Sequence, residues 1–221
     1  MKGSPLSALV FDFGGPVLLT PFELREQGEQ RLGLPPGSFN WAGPFDPESD
    51  TDWQAFQAGD MNEREYWKLQ VDRFAELVGH PASMPEMMAP LYAGPENELV
   101  RPGALALLHD AKSAGIPVGM LTNDLTAFHD AEWIQRMSVI RSFDAMVDGK
   151  QDRVHKPDPA AYILMCERLG VPIEGTVFID DQPINLRGAE ALGMTAIHLD
   201  PRDPETGYQA ARAALFLASP H

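Results

Sequence analysis

The sequence predicts an α/β protein, a doubly wound parallel sheet with a helical insertion after its first strand. Three observations predict it. Short apolar runs recur along the chain, helical segments separate the last four of them, and the gap after the first is far too long for one crossover. The runs are Ala8-Leu9-Val10-Phe11, residues 116–121, residues 143–147, Thr176-Val177-Phe178-Ile179 and residues 195–199. They are continuous rather than alternating, which suits strands covered on both faces. Strands alternating with helices then build the doubly wound core.

The helices announce themselves through their ends. Residues 158–169 have Asp158 as N-cap, Pro159 at the first helical position and Gly170 past the last. In the long gap, residues 20–95 carry helix signatures and no strand. Asn62-Glu63-Arg64-Glu65 reads as a capping box, followed by Trp67, Val71, Phe74 and Val78 on one face. Ser83-Met84-Pro85-Glu86 is a second capping box, opening a helix with Met87, Met88 and Leu91 on its apolar side. Residues 34–44 are rich in Pro and Gly and read as a loop, and residues 46–52 read as a solvated acidic loop. The expected division is a core of residues 1–19 and 96–221 with a helical domain of residues 20–95. Trp41, Trp53, Tyr66 and Trp67 fall in that domain, where aromatics at helical spacing mark a core more often than a ligand pocket.

Composition narrows the partners. An apolar content of 44% over 221 residues supports a sizeable core. Seventeen Lys plus Arg against 32 Asp plus Glu give a net charge of −15, a field that repels nucleic acid and anionic membranes. A few local cations still suffice to bind a small anion inside a cleft. The single cysteine, Cys166, precludes an intrachain disulfide, fits a reducing compartment and falls in a predicted helix as a buried, inert thiol. Residues 1–9 lack the three-part pattern of a secretory signal, and no segment approaches the roughly 20 apolar residues of a membrane span. The expectation is a cytoplasmic protein, monomer or homodimer, acting on a small molecule.

The chemistry concentrates where the strands end. Phe11 gives way to Asp12, Leu121 to Thr122-Asn123, Val147 to Asp148 and Ile179 to Asp180-Asp181. In a parallel sheet these ends lie along one edge, the edge at which open α/β folds bind ligands. Asp12, Asp180 and Asp181 therefore converge although far apart in sequence, and converging carboxylates call for a cation; hard oxygen ligands suit Mg²⁺. Singly, a strand-end Asp is more often a helix N-cap. Gly14-Gly15 sits in no GxGxxG or GKS/T pattern, so the pair serves a sharp turn and a close backbone approach to a ligand.

Taken together, these residues resemble the haloacid dehalogenase superfamily. Phe11-Asp12-Phe13-Gly14-Gly15-Pro16-Val17 resembles its first motif, Leu121-Thr122-Asn123 its second, Lys156-Pro157-Asp158 its third, and Val177-Phe178-Ile179-Asp180-Asp181 with Asn185 its fourth. The motifs come in family order over nearly the whole chain. In style the chain is similar to the glucose-1-phosphate phosphatase-like group and the phosphatase domain of soluble epoxide hydrolase. The resemblance implies a Rossmann-like core with a small helical cap and an Mg²⁺-dependent phosphatase working through an aspartyl-phosphate at Asp12. It implies that Thr122 and Asn123 donate hydrogen bonds to the transferring group and that Lys156 neutralises its charge. Asp12, the Gly14 carbonyl, Asp180 and Asp181 would hold the metal, with Asn185 supporting the acidic loop.

One position departs from the pattern. Most phosphatases of the superfamily carry a second Asp two residues after the nucleophile, as acid and then base; here that residue is Gly14. Such catalysis is typically worth about 10²–10⁴-fold. Three readings follow in order: a phosphatase that manages without this group, a binding protein with weak or no turnover, and a 2-haloacid dehalogenase, whose halide leaves unprotonated. The Asp180-Asp181 pair speaks against the third, since those dehalogenases dispense with Mg²⁺. His129 and His155 are candidate substitute acids, because histidine titrates in the useful range.

Overall fold

The computed structural model describes residues 8–215. The outermost parts of the expected core, residues 1–7 and 216–221, lie outside the described residues. By its contacts the chain divides into two compact units. One comprises Met1–Leu19, Glu96–Thr126 and Ala131–His221, and the other Thr20–Pro95 with Ala127–Asp130.

The first unit is the predicted doubly wound α/β fold. Among the described residues its strands are β1 (Ala8–Phe11), β2 (Val118–Thr122), β3 (Ala145–Asp148), β4 (Thr176–Asp180) and β5 (Thr195–His198). All pair in parallel in the order β3-β2-β1-β4-β5. β1 is wholly inaccessible because helices cover both faces, which explains its unbroken apolar run. One face packs Val10, Leu121, Val147 and Phe178 against Tyr162, Met165 and Cys166 of the helix Pro159–Leu169 and Leu186 and Ala189 of Pro183–Glu190. The other is covered by Pro102–Ser113 and Pro204–Ala214, which pack on each other. Asp158 caps Pro159–Leu169 by accepting from the Ala160 N–H at 2.9 Å, and Gly170 closes it at φ 67°. Cys166 is buried, as its place in that helix predicts.

The strand order reverses between β1 and β4, the switch point at which such sheets bind ligands. The register pairs Phe11 with Ile179 and so sets Asp12 beside Asp180.

The second unit is helical: Pro21–Leu32, Thr51–Ala58, Glu63–Val78 and Met84–Leu91. Both predicted capping boxes form, at Asn62 with Glu65 and at Ser83 with Glu86, and a third at Thr20 with Glu23. On Glu63–Val78 the buried stripe is Tyr66, Trp67, Gln70 and Phe74, while Val71 and Val78 stay half-buried. Trp41, Trp53, Tyr66 and Trp67 form an aromatic core with Phe22 and Phe39, Phe39 stacking on Trp41 at 4.5 Å. Phe128, from the short segment that joins this unit, meets Trp67 edge-on.

The acidic stretch of residues 46–52 is not simply a solvated loop. Asp50 is 3% exposed and caps Thr51–Ala58 by accepting from the Trp53 N–H at 2.9 Å. Its other oxygen accepts from the Ala42 and Gly43 N–H groups and the Tyr66 hydroxyl at 2.9–3.0 Å. One buried carboxylate thus ties the loop of residues 34–44 to two helices. Burial and the Asp50 charge hold the Tyr66 hydroxyl far above its usual range, so it stays a donor. Asp50→Ala removes a cap and leaves buried donors unpaired, so it costs roughly 2–4 kcal/mol. Denaturant unfolding followed by tryptophan fluorescence measures that loss, since Trp41, Trp53 and Trp67 report on this unit.

Candidate active site

Asp12 follows β1, and its N–H donates to the Ile179 carbonyl of β4 at 2.8 Å, which fixes its place against the neighbouring strand. The carboxylates of Asp12, Asp180 and Asp181 lie within 4.8 Å of one another. Lys156 reaches in between the first two. Its ammonium is 2.7 Å from Asp12 Oδ1 and 2.7 Å from Asp180 Oδ2, with its side chain almost inaccessible. The third motif lysine is thus a buried bridge rather than a solvated loop residue. The ammonium also lies over the Phe178 ring, 5.5 Å from its centre.

Asp180 is saturated with donors. Besides Lys156 it accepts from the Gln182 N–H at 2.7 Å and from the Asn185 amide at 3.1 and 3.2 Å. Asn185 is held in turn by the Tyr162 hydroxyl, which donates to its carbonyl at 2.7 Å. Asp181 is less buried and lies against Gly15. Thr122 ends β2 and is buried beside the site-bearing strand.

Asn123, expected to contact substrate, bonds through its side chain to the backbone of Lys156. Its oxygen accepts from the Lys156 N–H at 2.8 Å and its nitrogen donates to the Lys156 carbonyl at 3.2 Å. It clamps the backbone that carries the lysine. Asp148, the fourth strand-end carboxylate, takes the capping role: it accepts from the Lys150 and Thr126 N–H groups at 3.0 Å. His155 packs over Gly149, where a Cβ would come within 2.7 Å of its ring. His129 belongs to the helical unit and meets Tyr92 edge-on at 4.8 Å.

The two glycines after Asp12 differ. Gly15 has φ 90°, and a Cβ there would fall 2.8 Å from the Asp181 carboxylate, so its close approach is to Asp181. Gly14 is exposed, and a Cβ there would meet nothing within 4 Å. Two residues that sequence reasoning missed hold this turn. The buried Arg101 donates from Nε to the Gly15 carbonyl at 2.6 Å, and the Tyr208 hydroxyl donates to the Pro16 carbonyl at 2.8 Å. Their only signal in the sequence is an arginine and a tyrosine far from any motif.

With this geometry in view, the comparisons with known proteins can be placed. Residues 7–193 match the family model of the haloacid dehalogenase-like hydrolases. The chain belongs to that family. It is 24% identical over 217 residues to mouse (Mus musculus) acyl-CoA dehydrogenase family member 10, covering 96% of this chain and 19% of that protein. It is 34% identical over 98 residues to a phosphorylated carbohydrates phosphatase of Thermotoga maritima, covering 44% of each. The chain thus spans between about a fifth and about half of these curated relatives' length. Among solved structures, a Thermotoga maritima protein assigned as a β-phosphoglucomutase superposes with a TM-score of 0.60 at 20% identity, covering 94% of this chain and 99% of that one. At that identity the likeness is one of fold.

The electrostatics of this site are strained. Burial raises the Asp12 carboxyl from the usual 3.8 to about 7, with Lys156 opposing and Asp180 adding to the rise. Burial also works against the Lys156 charge, but Asp12 and Asp180 outweigh it and hold the ammonium above its usual range. Between 3.8 and about 7 the folded chain keeps a proton that the unfolded chain has lost, so this group's contribution to stability falls as pH rises through that window. Asp12→Asn stays neutral throughout. In chelator-containing buffer it should match the parent below about pH 3.8 and exceed it above pH 7, on the order of 1–2 kcal/mol after the lost Lys156 contact. Unfolding midpoints measured across that range give the answer, and equal midpoints at pH 8 contradict it.

Proposed function

We propose that the chain is an Mg²⁺-dependent phosphatase, acting on a small phosphorylated molecule through an aspartyl-phosphate at Asp12. The charge balance of the site carries this reading. Three carboxylates within 4.8 Å share one ammonium, which leaves two negative charges that one divalent cation offsets. An all-oxygen donor set fits Mg²⁺ better than a softer metal. The likeness to the Thermotoga maritima phosphatase supports the substrate class.

Asp180 already accepts from Lys156, Gln182 and Asn185, so it anchors the acidic loop. Asp12 and Asp181, with the Gly14 carbonyl, would hold the cation, beside Asp180. When bound, Mg²⁺ neutralises charge on the phosphate and orients it toward the nucleophile. Asp12 attacks phosphorus with one carboxylate oxygen while Lys156 holds the other at 2.7 Å, fixing the angle of attack. The Lys156 charge and the Thr122 hydroxyl stabilise the equatorial oxygens of the transferring group. Asn123 acts through Lys156, and Asn185 through Asp180. The helical unit takes the place of the family's cap.

The reading predicts Mg²⁺-dependent release of phosphate from p-nitrophenyl phosphate. Asp12→Asn lowers the rate roughly 10³-fold or more. Chelation abolishes it and added Mg²⁺ restores it. Turnover that survives both treatments would falsify the assignment.

A further inference from the structure

Two glycines lie on either side of the segment that carries Lys156. Gly149 opens the short helix Gly149–Asp152. A Cβ there would fall 2.7 Å from the His155 ring, 2.8 Å from the Asn123 carbonyl oxygen and 2.9 Å from the Val154 carbonyl oxygen. Gly188 lies in the helix Pro183–Glu190. A Cβ there would fall 2.8 Å from the Tyr162 hydroxyl and 3.0 Å from both the carbonyl oxygen and the side chain of Pro157. Neither glycine is at positive φ, so backbone conformation does not call for glycine at either position. What calls for it is the nearness of residues 154–157: Val154 and His155 press on one bare Cα and Pro157 on the other. Between them the Lys156 backbone is held by the Asn123 side chain at 2.8 and 3.2 Å. The neighbours have little freedom to withdraw. The close atoms of Asn123 and Val154 are backbone oxygens, and so is one of Pro157's. Tyr162 is fully buried, edge-on to Phe178 at 5.6 Å, with its hydroxyl on the Asn185 carbonyl. A methyl at position 149 displaces the segment or Asn123, which clamps it. A methyl at position 188 displaces Pro157 or the helix that carries Asn185. Whichever yields, a donor to Asp180 moves with it, because Lys156 and Asn185 both bond to that carboxylate.

Resting on the phosphatase reading, we propose that Gly149 and Gly188 are positioning residues. By omitting a side chain on each side of residues 154–157 they set where the Lys156 ammonium bridges Asp12 and Asp180. Neither touches the reacting atoms; both act through the lysine. Its two contacts of 2.7 Å tolerate little displacement. A shift of about half an ångström, the size needed to bring a new methyl to ordinary contact distance, is enough to misalign them. The lysine then holds the nucleophile and meets the transferring group from the wrong place. That raises the barrier to phosphoryl transfer and leaves ground-state binding of the substrate nearly unchanged.

The test is steady-state hydrolysis of p-nitrophenyl phosphate with Mg²⁺ by the full chain and by its Gly149→Ala and Gly188→Ala variants. Tyr162→Phe and the double variant Gly188→Ala/Tyr162→Phe complete a cycle, and thermal unfolding is recorded for each protein. The expected result is a kcat lower by roughly 10- to 10²-fold in each single Gly→Ala variant, with KM within about threefold of the parent. Unfolding midpoints stay close to the parent's, since alanine favours a helix where the crowding opposes it. Tyr162→Phe removes the atom closest to position 188, so Gly188→Ala lowers kcat less in that background than in the parent, a non-additivity that the cycle measures. Parent-like kcat in both Gly→Ala variants, or a KM rise with kcat unchanged, overturns the proposal. So does a loss of activity that tracks a fall in unfolding midpoint and is equally large in the Tyr162→Phe background, because packing of the fold alone then accounts for it. In each of these cases the parent still turns over and the phosphatase reading stands. If the parent itself releases no phosphate, the phosphatase reading fails and this role fails with it.

Discussion

The remainder of the site depends on the ammonium of Lys156, held between Asp12 and Asp180. The parallel pairing of β1 with β4 places these two carboxylates side by side at the switch point of the sheet, and both are buried. An unpaired charge there costs several kcal/mol, and two like charges cost more. The fold therefore imposes a repulsion that a cation relieves, and Lys156 supplies one from a third segment of the chain. Asn123 at the end of β2 fixes the lysine's backbone, and Tyr162 fixes Asn185, which steadies Asp180. Each of four chain segments thus meets the others through this one charge.

Relief is partial by construction. One lysine against three carboxylates leaves the folded protein with an electrostatic cost that shows in the raised Asp12 carboxyl. The same deficit is what a divalent cation would offset in the proposed reading. Arg101 and Tyr208 bear on this indirectly. By holding the Gly15 and Pro16 carbonyls they fix the turn after Asp12, which passes close to Asp181.

The parts legible in the sequence were those that short-range chemistry determines. Strands covered on both faces must be apolar throughout, strand ends in a parallel sheet must share an edge, and capping boxes act across three residues. Those rules gave the doubly wound core, the meeting of Asp12 with Asp180 and Asp181, and the helices opening at Asn62, Ser83 and Asp158. What escaped depends on contacts between distant residues. Arg101 is 86 positions from the carbonyl it holds and Tyr208 is 192 from its own, and neither carries a local mark. Asp50 looked solvated because its neighbours are acidic; only the fold shows that it is the one turned inward. The bond of Asn123 to the Lys156 backbone was not legible, since a short amide at a strand end serves a ligand or a backbone equally well.

The adjacent glycines after Asp12 show why identity alone is a poor guide to role. At position 15 a side chain is excluded by φ and by the Asp181 carboxylate, so glycine there is a condition of the fold. At position 14 no such condition operates: the residue is exposed, and a Cβ there would meet nothing within 4 Å. Phosphoryl transfer asks a protein chiefly for positioning and charge stabilisation. In the proposed reading Lys156, Thr122 and the carboxylate triad supply both. Proton transfer is the separable part, needed only when the leaving group or the attacking water is a poor one.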